Sequence, residues 1–291
     1  MFCFYFGFQS LPSSVKVLTL FAQFLSKSFV SVQSIKNYIS GVKTLHLYTE
    51  NEFPQKDTFQ LNLILKGLSR LNPHCPKQTS PITPDIILEF YKKLDVTEAC
   101  EATFWCLSLY AFFLMSRKSN LVPNSVKTFN PNKQLCRSKI EINSKKIYVL
   151  LINISWSKTI QFGERNLVVP LISIPDSPLC PVKAYHNMIS LVPTSKNSPA
   201  FCLFKHHKVL PVTYFQFQKV LKSLIKSIGK DPDEYSSHSF RRGAFSAEVP
   251  SELIQLYEDW SSDAYKKYLR FKLDDKIAVA EKMRNHILNS L

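Results

Sequence analysis

The run Phe104–Met115 is the most hydrophobic stretch of the chain, and it constrains the architecture more than any other feature. A helix that is apolar all round is stable only when protein encloses it. Twelve residues are too few to cross a bilayer, so the run reads as a buried helix. With 291 residues, 45% of them apolar, the chain has the material for a packed core, in two domains or one large one. Met1–Phe8 is apolar and aromatic but lacks a basic start and is cut off by Gln9 and Ser10. It fits neither a signal peptide nor a membrane span, and no membrane role is expected.

The pattern before the buried helix is amphipathic. Leu18, Phe21, Phe24 and Leu25 make one helical stripe after Ser13-Ser14. Ile35, Tyr38, Ile39, Val42 and Leu45 make a second, with Ser31 as N-cap, and Phe59, Leu63, Leu68 and Leu71 make a less regular third. Pro73, Pro76 and Pro81 among polar residues break the period. The expected organisation is a helical domain over 1–75, a linker over 76–82 and a second domain over 83–291. Thr83-Pro84-Asp85 opens that domain with an N-cap and a proline at the first helical position. Helices are expected over 84–94 and 98–116.

The period then changes. Lys146–Trp156 and Leu167–Ile172 are rich in Ile, Val and Leu and flank a polar loop containing Gly163, which predicts a hairpin. A helix follows Cys180-Pro181, and Thr213-x-x-Gln216 is a capping box for a helix ending at Gly229. More helices are expected after Phe240, around 251–257 and from 262 onward. The fold class is mainly α with a small β-hairpin or sheet, an α+β chain.

Lys and Arg number 37 against 22 Asp and Glu, a formal charge of +15. The excess is spread along the chain, net +4 over residues 1–75 and +11 over the rest. A polyanionic partner accounts for such an excess, because each cation set against a phosphate releases a counterion. A merely basic protein carries the same charge, so charge alone does not decide. Seven cysteines, an odd number with no Cys-x-x-Cys pair, fit neither a disulfide framework nor a zinc site. They suit a reduced, intracellular protein. His206-His207 has no ligand-spaced Cys, Asp or Glu and reads as a solvated basic loop.

Four groups could carry chemistry. Arg117 ends the most apolar helix, where a charge needs a partner. Lys158 stands at the tip of the expected hairpin. His238 and Arg241 sit three apart, on one face of a helix. Tyr265 and Tyr268 lie on an amphipathic segment beginning at Trp260. Each alone has an ordinary structural explanation: a capping arginine, a solvated lysine, a chance His-x-x-Arg, a core tyrosine.

Their order along the chain resembles the tyrosine recombinase (phage integrase) family, closest to its eukaryotic Crypton and DIRS-like mobile-element branch. The matching stretches are Phe112–Pro123 with Ser116-Arg117-Lys118-Ser119-Asn120, then Trp156-Ser157-Lys158-Thr159, then His238–Gly243, then Asp259–Tyr265 with Tyr268. The resemblance covers nearly the whole chain. It implies that the first helices form a SAM-like core-binding domain and that residues 83–291 form a catalytic domain clamped on double-stranded DNA. It makes Arg117 and Arg241 phosphate-clamping arginines, flanked by Lys118 and Arg242 as further DNA contacts. Lys158 becomes the donor of a proton to the leaving 5′ oxygen, and His238 the histidine before the second arginine. Tyr268 becomes the nucleophile of a 3′-phosphotyrosyl link, with Tyr265 the alternative. Asp259 falls where many relatives carry His or Trp, with Trp260 beside it. The resemblance also implies a nuclear, tetrameric enzyme on paired sites that needs neither metal nor other cofactor. Leu273, Ile277, Ala280, Met283 and Ile287 form a stripe suited to subunit exchange or to packing on their own domain.

The chemistry is coherent in its own right. Planar guanidinium groups match the non-bridging oxygens of a phosphodiester with paired hydrogen bonds, and preplaced donors of this kind supply about 10²–10³ in rate each. A phenol with pKa near ~10 needs a base or nearby cations to attack at neutral pH. The chain also departs from the family. Between Arg241 and Asp259, relatives carry about four more residues, roughly one helical turn. Glu258 replaces a small residue, and Met1–Pro12 begins abruptly. A decayed or truncated mobile-element copy, or a DNA-binding protein that has lost strand transfer, is therefore also expected to fit.

Overall fold

The computed structural model describes residues 1–54, 58–73, 79–142, 148–156, 166–205, 208–245 and 273–290. The chain divides into two units, Met1–Lys77 and Gln78–Leu291.

The first unit is helical: α1 (Phe2–Phe6), α2 (Val15–Leu25), α3 (Val32–Tyr48) and α4 (Phe59–Leu71). Ser14 accepts from Val17 N and starts α2, and Gly7, at φ +67°, ends α1 in the left-handed conformation that suits glycine. The core is Leu18, Ala22, Leu25, Ile35, Ile39, Leu61 and Leu65. His46 is fully buried and stitches the unit together: its Nε2 accepts from Ser13 N at 2.8 Å while Nδ1 donates to Val42 O at 2.8 Å.

Of the expected stripe on α4, Leu68 packs against the core and the other three residues do not. Phe59, Leu63 and Leu71 are 73%, 57% and 77% exposed, while Leu61 and Leu65 are buried. The helix carries apolar residues on two faces, and periodicity alone cannot choose between them. Ser31 stands at the N-cap of α3, without a side-chain capping bond. The aromatic start of the chain forms α1, and the Phe2 ring lies 5.1 Å from that of Phe21 and 5.3 Å from that of Phe24.

The second unit is built around α6 (Ala99–Phe113), in which every residue from Ala102 to Phe113 is buried. It packs against α5 (Pro84–Tyr91), the short α7 (Lys118–Leu121), α8 (Pro181–Leu191) and α10 (Ser237–Phe245). Strands β1 (Ile140–Ile142), β2 (Val149–Ile154) and β3 (Leu167–Ile172) form an antiparallel sheet in the order β1-β2-β3, with Ile152 opposite both Ile140 and Val169. The expected hairpin is thus β2–β3, and β1 is an addition. Pro170, which has no N–H to donate, is accommodated because β3 lies at the sheet edge. A second pair, β4 (Cys202–Lys205) with β5 (Lys208–Pro211), brackets His206-His207, which lie outside the described residues. The capping box at Thr213 and Gln216 opens α9 (Tyr214–Ser227), and Gly229 follows at φ +75°. The C-terminal helix, Leu273–Asn289, lays Ile277, Ala280, Met283 and Ile287 into the core of this unit and packs on β3. The expected helices around 251–257 and from 262 to 272 lie outside the described residues. Among the described residues, no helix is long and apolar enough to cross a membrane.

Candidate functional site

Arg117 owes its position to an abrupt end of α6. Helix geometry stops at Phe113, and Met115 adopts φ +47°, a left-handed conformation that costs free energy in a non-glycine residue. Met115 is wholly buried, so core packing holds the turn in place. The chain leaves the core there and delivers Arg117 as the N-cap of α7, half-buried, in extended backbone conformation. Lys118 follows, its Nζ 3.4 Å from the centroid of the Tyr214 ring. Tyr214 opens α9 and is pinned by its own N–H to Pro123 O at 2.8 Å.

His238 and Arg241 come from α10. Ser236 accepts at Oγ from His238 N (3.2 Å), and its own N–H donates to Ser239 Oγ (3.0 Å). This reciprocal arrangement satisfies the first free amides of a helix. The helix therefore begins one turn earlier than expected and carries His238 in its first turn. Its inner face is locked by three contacts. Phe240 stacks on Phe217 at 5.8 Å, Ser239 O accepts from Ile82 N at 2.9 Å, and Gly243 lies directly on Ile82. A Cβ at position 243 would stand 1.7 Å from the Ile82 carbonyl oxygen, so only glycine fits. His238, Arg241 and Arg242 remain on the accessible side, with Arg241 half-buried and Arg242 exposed.

The two segments converge. The His238 imidazole is held below its ordinary pKa of 6.5, first by loss of hydration and then by the charges of Arg241, Lys118 and Arg117. His238 as a residue is exposed, so the dehydration comes from crowding around the ring and not from enclosure. Charges screened by solvent act over on the order of 10 Å, which puts residues 117, 118 and 241 in one neighbourhood around residue 238. Like charges disfavour the imidazolium, so His238 is poised as a neutral ring among cations. Such a grouping of cations can attract an anion, and an imidazole among them can take or give a proton.

The hairpin enters this region by its stem. Asn120 is buried, and its Nδ2 donates to Trp156 O at 3.1 Å. Lys139 Nζ donates to Ser155 Oγ at 2.8 Å, and Lys133 Nζ lies 5.4 Å from the centroid of the Trp156 ring. The sequence placed Asn120 within a matching stretch without giving it a role, and did not mark Lys139, Ser155 or Tyr214. Only the motif around Trp156 hinted that this stem matters. Lys158, Asp259, Trp260, Tyr265 and Tyr268 lie outside the described residues. Among the described residues, no group of three or more His, Cys, Asp or Glu side chains could hold a metal ion.

No family model matches the sequence, and no curated protein does. Solved structures do match. One is the XerH site-specific recombinase bound to its difH substrate in a pre-cleavage complex, at TM-score 0.53 and 16% identity, covering 96% of this chain and 69% of that one. Another is a Flpe–Holliday junction complex, at TM-score 0.45 and 14% identity over 70% of this chain and 50% of that one. A third is an FLP recombinase–Holliday junction complex, at TM-score 0.42 and 14% identity over 84% and 57%. The likeness to XerH is one of fold, and the molecule has an α+β fold like that of tyrosine recombinase catalytic domains.

Proposed function

We propose that this chain is a DNA strand-transfer protein of the tyrosine recombinase type, from the Crypton and DIRS-like mobile-element branch, acting in the nucleus on double-stranded DNA. The observation that carries the proposal is that α9 joins the two cationic segments, Lys118 lying over Tyr214 and Phe217 stacking on Phe240 of α10, with the charges of Arg241, Lys118 and Arg117 all acting on His238. In this reading the first unit is the core-binding domain and the second the catalytic domain. Arg117 and Arg241 clamp the scissile phosphate, with Lys118 and Arg242 on its flanks. The Tyr268 oxygen attacks phosphorus, its proton passing to a base such as His238. The bond to the 5′ oxygen breaks as Lys158 supplies a proton, leaving a 3′-phosphotyrosyl link and a free 5′ hydroxyl. Attack by another 5′ hydroxyl reverses the step and reseals DNA without ATP. Asp259 and Trp260 would support the tyrosine segment, and four copies would assemble on paired sites. The likeness to XerH, a recombinase held on its DNA, supports the reading.

Incubation with a nicked suicide duplex tests it. Wild-type protein should form a covalent protein–DNA adduct that is lost in Tyr268→Phe and retained in Tyr265→Phe. No adduct at any duplex sequence tried, with DNA binding intact, would instead favour a binding protein derived from such a recombinase. The short segment between Arg241 and Asp259 favours that second reading, since a displacement of ~1 Å at a reacting atom costs about 10²-fold.

A further inference from the structure

The strand-transfer reading leaves open what fixes the proton donor relative to the arginines. We infer that Asn120 and Lys139 are positioning residues that tie the take-off point of the Lys158 hairpin to the Arg117 turn. The inference rests on that reading and names the machinery behind it.

The pairing of β2 with β3 ends at Ile154, opposite Leu167. Ser155 and Trp156 lie beyond the last ladder pair, so sheet hydrogen bonds do not set their course. Side chains do so instead. The Trp156 carbonyl accepts from Asn120 Nδ2 at 3.1 Å. Ser155 Oγ accepts from Lys139 Nζ at 2.8 Å and donates to Asn132 O at 3.3 Å. The Trp156 ring lies beneath the Lys133 ammonium. Two residues in a row are therefore held by groups from four positions, Asn120, Asn132, Lys133 and Lys139.

The far end of this device is equally firm. Asn120 N donates to Arg117 O at 2.9 Å, and Asn120 O accepts from Leu135 N at 2.7 Å. Gln134 Nε2 donates to the neighbouring Ser119 O at 3.0 Å. Lys139, whose pKa burial lowers, is further bound to Pro131 O at 2.6 Å. Arg117 thus stands three residues before Asn120, and Lys158 two residues after Trp156. One buried amide joins the two segments. Trp156 is only half-buried, so solvent could have served its carbonyl. A buried side-chain donor from the arginine segment adds geometric definition that water would not.

The test uses a leaving group that needs no proton. In one nicked duplex the scissile 5′ bridging atom is oxygen; in a second it is sulfur, which departs as a thiolate. Lys158→Ala should react slowly with the first and near normally with the second. Asn120→Ala and Lys139→Met should behave in the same way, losing about 10- to 100-fold in adduct formation with oxygen. With sulfur they should return to within a few-fold of wild type, and DNA affinity should not change. Asn120→Asp keeps the shape and removes the donor, which covers the case of an alanine variant that does not fold. Equal losses on both substrates would overturn the inference, because the bonds would then serve the fold or the arginines. So would unchanged rates on oxygen. If wild type reacts with neither substrate, the strand-transfer reading itself fails and takes the inference with it. That outcome is distinct from a failure confined to the variants.

Discussion

At His238 the fold makes a single imidazole report on the whole cationic cluster. Its folded pKa lies below the unfolded value, because dehydration and the charges of Arg241, Lys118 and Arg117 all oppose a further positive charge. The neutral ring is therefore the folded form at neutral pH. Its contribution to stability is present above the unfolded pKa near 6.5 and is lost as pH falls through the lower folded value. A phosphodiester bound among these cations would offset part of their field, which moves the His238 pKa back up. Binding of duplex DNA should consequently tighten as pH falls from about 7 toward the unfolded pKa of ~6.5 and below. NMR titration of the His238 ring should give a midpoint below 6.5 in free protein and a higher one with DNA. A free-protein midpoint at or above 6.5 would remove the cluster from the argument. In His238→Gln the pH dependence of affinity should flatten.

At the scale of elements, α10 matters because three candidate site residues, His238, Arg241 and Arg242, ride on it. Its seat against Ile82 is so close that Gly243→Ala must move backbone, not side chains. Thermal or chemical denaturation should show a loss of about 1–3 kcal/mol or more. Phosphate or DNA binding should weaken with it, as His238 and Arg241 move with the helix. The α4 helix offers a second comparison. Leu65→Ala opens a cavity in the first unit and should cost about 2–5 kcal/mol. Leu63→Ala, on the exposed face, should stay within about 0.5 kcal/mol. Equal effects would mean that another surface covers that face. The two positions look alike in the sequence, and the expected stripe took in the exposed Phe59, Leu63 and Leu71 along with Leu68, which packs on the core. The capping box at Thr213 and Gln216 was legible because its bonds are local. The β2–β3 hairpin was legible because its two strands adjoin in sequence, whereas β1 and the β4–β5 pair are short and carry little pattern.

For the whole molecule, the cations outnumber acids in both parts of the sequence, by 4 over residues 1–75 and by 11 over the rest. A duplex ligand should therefore bind with a steep salt dependence. With about six phosphates neutralised, affinity should drop on the order of 10³-fold between 50 and 200 mM salt. Fluorescence anisotropy with a labelled duplex measures the slope of log K against log salt. A slope near zero would exclude phosphate contacts as the main source of binding.

Short-range information was plain before any fold was known. The buried helix, the caps and the hairpin each depend on residues near one another in the chain, where backbone geometry and period leave few choices, and the order Arg, Lys, His-x-x-Arg, Tyr is read directly along it. Three-dimensional packing settled the rest. It buried one face of α4 and not the other, forced Met115 into a left-handed turn, demanded glycine at 243 and set the charge of residue 117 within reach of residue 238. Those outcomes depend on segments far apart in the chain: Ile82 meets Gly243 some 160 residues on, and the charge of Arg117 acts on His238. Periodicity cannot encode them, because no local preference distinguishes an arginine that will meet a histidine from one that will meet water.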